Sequence, residues 1–333
     1  MLGLFLVAGP AVAASGVVLE YHHVAKDAPP STSVDPATFD KHMDHLAENG
    51  FSVWPLPKLV QRVRAGGEVP PKTVALTFDD AYRSVYTEVL PRMRARGWPF
   101  TVFVATGPTD KGIDAYATWE QLREMEAAGA TIANHSVSHG HMVRRRDGES
   151  EAAWLERLRG EVVDAQERLA QEVREPAKLF AYPYGEFSPP VQRLVRELGY
   201  VGFGQQSGAF GPHSDFAALP RFPIATAFAS LDSFALKVRS RPLPVAATEP
   251  ESGVLGPDVA RPELRITLRD GPFRPDAVRC YVGGQPAVTE QVGEAPAVLS
   301  VRRATPSAPG ARSTTARHRR PTATPGSGTA SSG

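Results

Sequence analysis

A single cysteine, Cys280, stands in 333 residues. No intramolecular disulfide can form and no thiolate cluster can hold a metal, so any ligands must be His, Asp or Glu. Long apolar runs are missing as well: Leu2 to Ala8 is too short to span a bilayer. An excess of one charge sign is also absent, since the formal net charge is +1. That balance hides an asymmetry. Six arginines (302, 303, 312, 317, 319 and 320) and no acidic residue lie in 301–333, so the rest carries a net −5. The folded part therefore lacks the basic face that a nucleic-acid partner requires. With 42% apolar residues, disorder of the whole chain is excluded and one large domain plus a small appendage can be packed.

The N-terminus has the pattern of an export signal. The apolar run is followed by Pro10 and by Ala11-Val12-Ala13-Ala14-Ser15, with small residues where cleavage after Ala13 or Ala14 would need them. Residues 1–14 are read as a leader that exports the protein to the periplasm, the cell surface or the medium, although no Lys or Arg precedes Lys26. A start codon further upstream, or a buried first strand, is the alternative.

From Gly16 to about Arg241, β-like runs alternate with amphipathic helices. Val17 to Tyr21 and Thr73 to Phe78 are apolar enough for strands covered on both faces. Asp35-Pro36 opens a helix with Phe39, Met43 and Leu46 on one side, and Leu56, Leu59, Val60 and Val63 repeat the spacing. Strands are expected again at Phe100 to Val104, Ala130 to Ala133 and Leu179 to Tyr182. Helices are expected before Gly97, from the Thr118–Gln121 capping box to Gly129, over Glu151 to Val173, and from Ser188-Pro189 to Gly199. Such alternation predicts an α/β fold with a parallel sheet. Residues 15–245 form this domain. After Pro242 and Pro244 the helical rhythm stops, and 250–300 reads as a small β appendage. Residues 301–333, rich in Arg, Ser, Thr, Ala, Pro and Gly, are expected to be disordered or out of frame.

Polar residues gather where four strands end. His22 and His23 follow the first strand, Asp79 and Asp80 follow Phe78, His135 follows Ala133, and Tyr184 follows the strand near Tyr182. Chemistry on parallel sheets collects at those ends, which predicts one shared site. Adjacent carboxylates point in different directions, so one of Asp79 and Asp80 can ligate a metal while the other faces a water. His135 and His139, four apart, lie on one face of a helical turn, close enough for both imidazoles to reach one cation. Two His and one carboxylate leave coordination positions open, as catalytic zinc requires. Other residues are set aside. His141 lies across Gly140 and would point elsewhere, and His42 and His45 fall on the helix side away from Phe39 and are expected in solvent. Trp119 is core or pocket wall, and Arg144-Arg145-Arg146 a solvated loop.

Thr77-Phe78-Asp79-Asp80 and His135-Ser136-Val137-Ser138-His139 resemble the first two motifs of the NodB-homology polysaccharide deacetylases, carbohydrate esterase family four, over roughly residues 17–240. The resemblance implies a distorted (β/α)7 barrel, with Asp79 as base and Asp80, His135 and His139 as ligands of Zn²⁺ or a similar divalent ion. Tyr21-His22-His23-Val24 resembles the start of the circularly permuted poly-β-1,6-N-acetylglucosamine deacetylases. That implies His22 as the acid protonating the departing amine, with His23 structural or at the rim. Tyr182-Pro183-Tyr184-Gly185 resembles the third motif, implying that the Tyr184 backbone N–H faces the oxyanion. Ala181 stands where that family has arginine, and Arg221 in Leu219-Pro220-Arg221-Phe222 is the candidate replacement. The implied substrate is an N-acetylated polysaccharide. Chitin-like, peptidoglycan or O-acetylated polymers, and an inactive carbohydrate-binding protein on the same scaffold, remain as alternatives. No nucleic acid, membrane span or obligate protein partner is expected.

Overall fold

The computed structural model describes residues 14–251, 253, 254, 259, 262–271, 273–282, 285–302 and 314–318. The expected leader, apart from Ala14, lies outside the described residues. Seven strands alternate with helices: β1 (Val17–Tyr21), β2 (Thr73–Phe78), β3 (Thr101–Val104), β4 (Thr131–Asn134), β5 (Ala177–Ala181), β6 (Val201–Phe203) and β7 (Phe222–Pro223). The helices are α1 (Pro36–Glu48), α2 (Leu56–Arg64), α3 (Leu90–Arg96), α4 (Trp119–Ala127), α5 (Glu151–Glu172), α6 (Pro189–Glu197) and α7 (Leu231–Val238).

All neighbours in the sheet order β7-β1-β2-β3-β4-β5-β6 run parallel, and a short strand, Ser52–Val53, joins the start of β2. The sheet curls into a half-barrel. Its two ends approach where Phe203 of β6 bridges Leu219, just ahead of β7. The expected α/β fold is therefore present, and the seven strands of the implied distorted barrel form an incompletely closed, curled sheet.

Strand alternation assigns the faces. Val17, Leu19 and Tyr21, with Leu76 and Phe78, pack outward against α1 and the helices beside it. Val18, Ala75, Phe103, Ala133, Ala181 and Phe203 point inward, and Leu56, Leu59, Val60 and Val63 of α2 plug that interior. Helix boundaries follow local chemistry. The Asp35 side chain accepts from Ala37 and Thr38 N–H, Thr118 and Gln121 form a reciprocal cap, and Gly97 ends α3 in the left-handed conformation. Pro91 has no N–H to give. The turns ahead of it widen into a π-helical stretch, Val85–Val89, which absorbs the lost bond directly behind the Asp79–Asp80 corner.

His42 corrects the sequence reading: it is fully buried, not solvated. Nδ1 meets the Tyr21 hydroxyl at 3.1 Å and Nε2 the Ala229 carbonyl at 2.8 Å, while the ring stacks on Phe234 at 4.2 Å. Helix α7 covers the face of α1 that periodicity alone assigned to water. His45 is only partly exposed.

Beyond the half-barrel, antiparallel strands begin at Val245, a few residues earlier than expected. Val245–Glu249, Glu263–Leu268, Ala297–Arg302 and Val288–Glu294 form one four-stranded sheet in that order. Ile266, Leu268, Val278, Cys280, Leu299 and Val301 make a separate small core. Of residues 301–333, Val301 and Arg302 close one of these strands and Thr314–His318 pairs with Val278–Val282. The rest of that expected tail lies outside the described residues. No helix among the described residues is long and apolar enough to cross a membrane.

Candidate metal centre and its surroundings

The same alternation that faces Val18 and Ala75 inward carries Glu20 and His22, and Thr77 and Asp79, to the inner face at the carboxyl end of the sheet. Asp80 and Ala81 then take φ of 70° and 57°. This left-handed corner, which Asp tolerates better than most residues, turns the second carboxylate towards the same space as the first. Asp80 Oδ1 lies 3.3 Å from His135 Nε2 and 3.0 Å from His139 Nε2. Asp80, His135 and His139 thus converge as a candidate metal site, and His22, Asp79 and Glu20 form a second cluster beside it.

His135 and His139 do not sit on a helical turn, contrary to the sequence reading. The segment is a loop in which Ser136 (φ 68°) and His139 (φ 55°) are left-handed. Each such residue costs about 1–3 kcal/mol, so contacts around the loop must hold it. Ser136 Oγ accepts from His139 N–H, and Asn134 Oδ1 accepts from Ser136 N–H.

The donor set fits a divalent cation. His135 Nδ1 is 2.7 Å from the Ala181 carbonyl, to which it donates, so Nε2 presents its lone pair to the site. That buried Nε2 has no hydrogen-bond partner, although the Asp80 carboxylate stands beside it. Two acceptors facing each other at this distance are what a shared cation reconciles. Without one the cluster attracts protons: burial works to lower His135, but Asp80 and Asp79 outweigh it and hold its pKa above the usual value. Burial likewise works to raise Asp80, yet His135 and His139 hold it well below the carboxylate range.

Asp79 has a different neighbour. Arg221, fully buried, donates from both terminal nitrogens to the two Asp79 oxygens at 2.7 Å each, and also to Thr77 Oγ1 and the Gly204 carbonyl. Burial would raise Asp79; the guanidinium outweighs it and leaves the carboxyl below its ordinary value. The position of Ala181 is thus bypassed, and the cation comes from the segment entering β7, the strand next to β1.

Arg221 also faces Glu20, 3.4 Å from Nε, and Glu20 lies 3.9 Å from His22 Nε2. Both Glu20 oxygens are buried without hydrogen bonds, and burial pushes its pKa up to about 8. One guanidinium serves two carboxylates here: Asp79 takes the bidentate bond, and Glu20 the longer contact. Burial also lowers His22, whose side chain retains 16% exposure. Sequence reasoning passed over Glu20. Its signal was an acid inside the otherwise apolar run Val17-Val18-Leu19-Glu20-Tyr21.

At the rim, Tyr184 takes φ 59° in the Pro183–Gly185 turn, with its ring 4.6 Å from His139 and stacked on His141 at 4.0 Å. Gly185 is obligatory there: its φ is +66° and a Cβ would fall 2.6 Å from Gln205. His141 Nδ1 lies 2.8 Å from Glu186 Oε2, and the ring is not among the three clustered ligands. His23 stacks on Tyr82, and Tyr82 on Tyr116, forming an aromatic wall beside Asp80. Trp119 is no part of it: partly buried, it packs against the main core, as expected, and its Nε1 donates to Asp110 Oδ1 at 2.8 Å.

Residues 66–203 match the family model described as polysaccharide deacetylase. That span contains Asp79, Asp80, His135, His139 and Tyr184; His22 and Arg221 lie outside it. The poly-beta-1,6-N-acetyl-D-glucosamine N-deacetylase of Escherichia coli K12 is 28% identical over 258 residues, covering 67% of this chain. The match takes in only 38% of that relative's own length. Among solved structures, the Streptococcus pyogenes deacetylase PplD in complex with acetate aligns with TM-score 0.61 at 21% identity, over 68% of this chain and 99% of that one. IcaB from Ammonifex degensii aligns with TM-score 0.58 at 22% identity, over 68% and 98% respectively. At such identities the structural likeness speaks for the fold.

Proposed function

We propose, from the match of residues 66–203 to the polysaccharide deacetylase family, that this chain hydrolyses N-acetyl groups on an N-acetylglucosamine polymer in a metal-dependent reaction. One observation carries the proposal: Asp80, His135 and His139 converge at the strand ends beside an Asp79 that Arg221 holds ionised. Asp80, His135 and His139 would hold the cation, and the imidazole-rich set suits Zn²⁺. A divalent ion there supplies a Lewis acid for the acetyl carbonyl and acidifies a water.

The chain's own groups do the rest. Asp79, kept anionic and oriented by two charge-assisted bonds, takes the proton of the attacking water. The Tyr184 N–H faces the negative charge that develops on the acetyl oxygen. His22, opposite Glu20, gives a proton to the departing sugar nitrogen. Water adds to the acetyl carbon, the C–N bond breaks, and acetate and a free amine leave. The exposed Tyr184 ring and the wall of His23, Tyr82 and Tyr116 flank the space where the sugar sits.

A β-1,6-linked polymer is favoured by the Tyr21-His22-His23-Val24 start and by the name of the Escherichia coli relative. Such a polymer lies outside the cell, which agrees with the leader pattern of residues 1–14. The test is acetate and free-amine release from β-1,6-linked N-acetylglucosamine oligomers beside chitin oligomers of equal length, with and without chelator. Chelator-sensitive release preferring the β-1,6 chain is expected. Release from chitin alone would overturn the substrate, and metal binding without release from either would favour a carbohydrate-binding protein. Asp80→Ala is expected to lose metal and activity together. Asp79→Asn keeps metal and loses about 10²–10⁴ in rate; an unchanged rate would remove it as the base.

A further inference from the structure

The loop that carries His139 is folded by a carboxylate distant in sequence. Glu161, on the inward side of α5, accepts at Oε2 from Val137 N–H at 3.1 Å and Ser138 N–H at 2.8 Å. Its Oε1 accepts from Ser138 Oγ at 2.8 Å, and its backbone carbonyl also receives Val137 N–H at 3.1 Å. On the same helix, the Val162 carbonyl and Gln166 Oε1 receive Asn134 Nδ2, whose own Oδ1 holds Ser136 N–H. Every N–H from Ser136 to His139 is thus taken by Asn134, Glu161 or Ser136 Oγ.

His135 does not depend on this arrangement, because it sits at the end of β4 and is fixed by the Ala181 carbonyl. His139 does. It follows two residues bound to Glu161 and ends a segment bounded by two left-handed residues, so its ring direction is set by how the loop is pinned to α5. Charge-assisted bonds from backbone N–H groups to a carboxylate are strong and directional, and an amide at the same place keeps only one acceptor oxygen.

We infer that Glu161 is a positioning residue for the metal centre: by pinning Val137 and Ser138 to α5 it aims His139 at Asp80 and His135, and so sets the protein's affinity for a divalent cation. The inference rests on the metal reading above and adds to it a residue outside the ligand motifs.

The experiment compares the full chain with Glu161→Ala, Glu161→Gln and, as a control on the same helix, Glu156→Gln. Among the described residues, Glu156 pairs with Arg159 alone, on the exposed side. Metal-stripped proteins are titrated with Zn²⁺ against a chelating indicator, and with Co²⁺ while its visible absorption band is followed. Thermal unfolding of the metal-free forms is recorded alongside. Glu161→Ala is expected to weaken Zn²⁺ binding by about 10–100-fold and to alter the Co²⁺ band, with Glu161→Gln between it and the wild type. The control should bind as the wild type does. Affinities of both Glu161 variants within about twofold of the wild type, with an unchanged Co²⁺ band, would overturn the inference. If Glu161→Ala does not fold, Glu161→Gln decides on the same two readouts. A wild-type protein that binds neither ion overturns the metal reading itself, and this inference with it.

Discussion

At the scale of single residues, the site is organised by an imbalance of charge. Glu20 and Asp79 share Arg221, and the three side chains have no exposure to water. A buried pair of this kind yields little net stability, because desolvation consumes most of the attraction, but it fixes which acid is ionised. Glu20 is the acid that burial pushes towards its protonated form. Its folded pKa of about 8 lies above the ordinary 4.5, so its contribution to stability is full below the lower value and lost as the pH rises through the upper one. Glu20→Gln removes that dependence. Between about pH 5 and pH 8, metal-free wild-type protein should lose more stability to unfolding in urea than the variant does. Parallel profiles for the two proteins would show that Glu20 is ionised at neutral pH in the folded state.

At the scale of elements, loops with enforced backbone conformations aim the groups that strands bring close. Two such corners, Asp80-Ala81 and Ser136 to His139, follow strands whose register is set by the sheet. The second corner also rests on the short helical turn Thr106–Asp110. Gly107 N–H donates to the Val137 carbonyl at 2.8 Å and Thr106 N–H to that of Ser136 at 3.2 Å. A Cβ at Gly107 would fall 2.7 Å from the Val137 oxygen, and backbone cannot swing aside as a side-chain tip can. Gly107→Ala is therefore expected to cost about 1–3 kcal/mol by thermal or urea unfolding, and to weaken metal binding with it. Full stability with unchanged metal binding would mean that the loop moves freely on this turn. The helical turn expected of the His-x-x-x-His spacing failed for a related reason. Spacing predicts a shared face only once the conformation is known, and two left-handed residues achieve the same convergence.

At the scale of the whole molecule, the half-barrel and the later strands have separate apolar clusters. Phe39, Met43, Leu76, Phe78, Val102 and Ile132 belong to the first core, and Ile266, Leu268, Val278 and Leu299 to the last. Every residue of the candidate site comes from the half-barrel. A chain ending at Pro244 should then unfold cooperatively and bind Zn²⁺ as the full chain does, measured by circular dichroism and by indicator competition. Loss of a cooperative transition would mean that the later strands are needed to complete the first core.

Much of this was legible in the amino-acid order, because it depends on local pattern. The alternation of apolar strands and amphipathic helices, the cap at Asp35, the Thr118–Gln121 box, and the placing of His22, Asp79, Asp80, His135 and Tyr184 at strand ends follow from periodicity and turn chemistry. Tertiary structure decided what depends on partners far along the chain. It brought Arg221 to Asp79 across 142 positions, covered His42 with α7, left Glu20 without a hydrogen bond, and set Glu161 under the histidine loop. A sequence pattern reports which face a side chain takes. Only packing determines what meets it there, because burial and charge pairing are properties of the assembled interior.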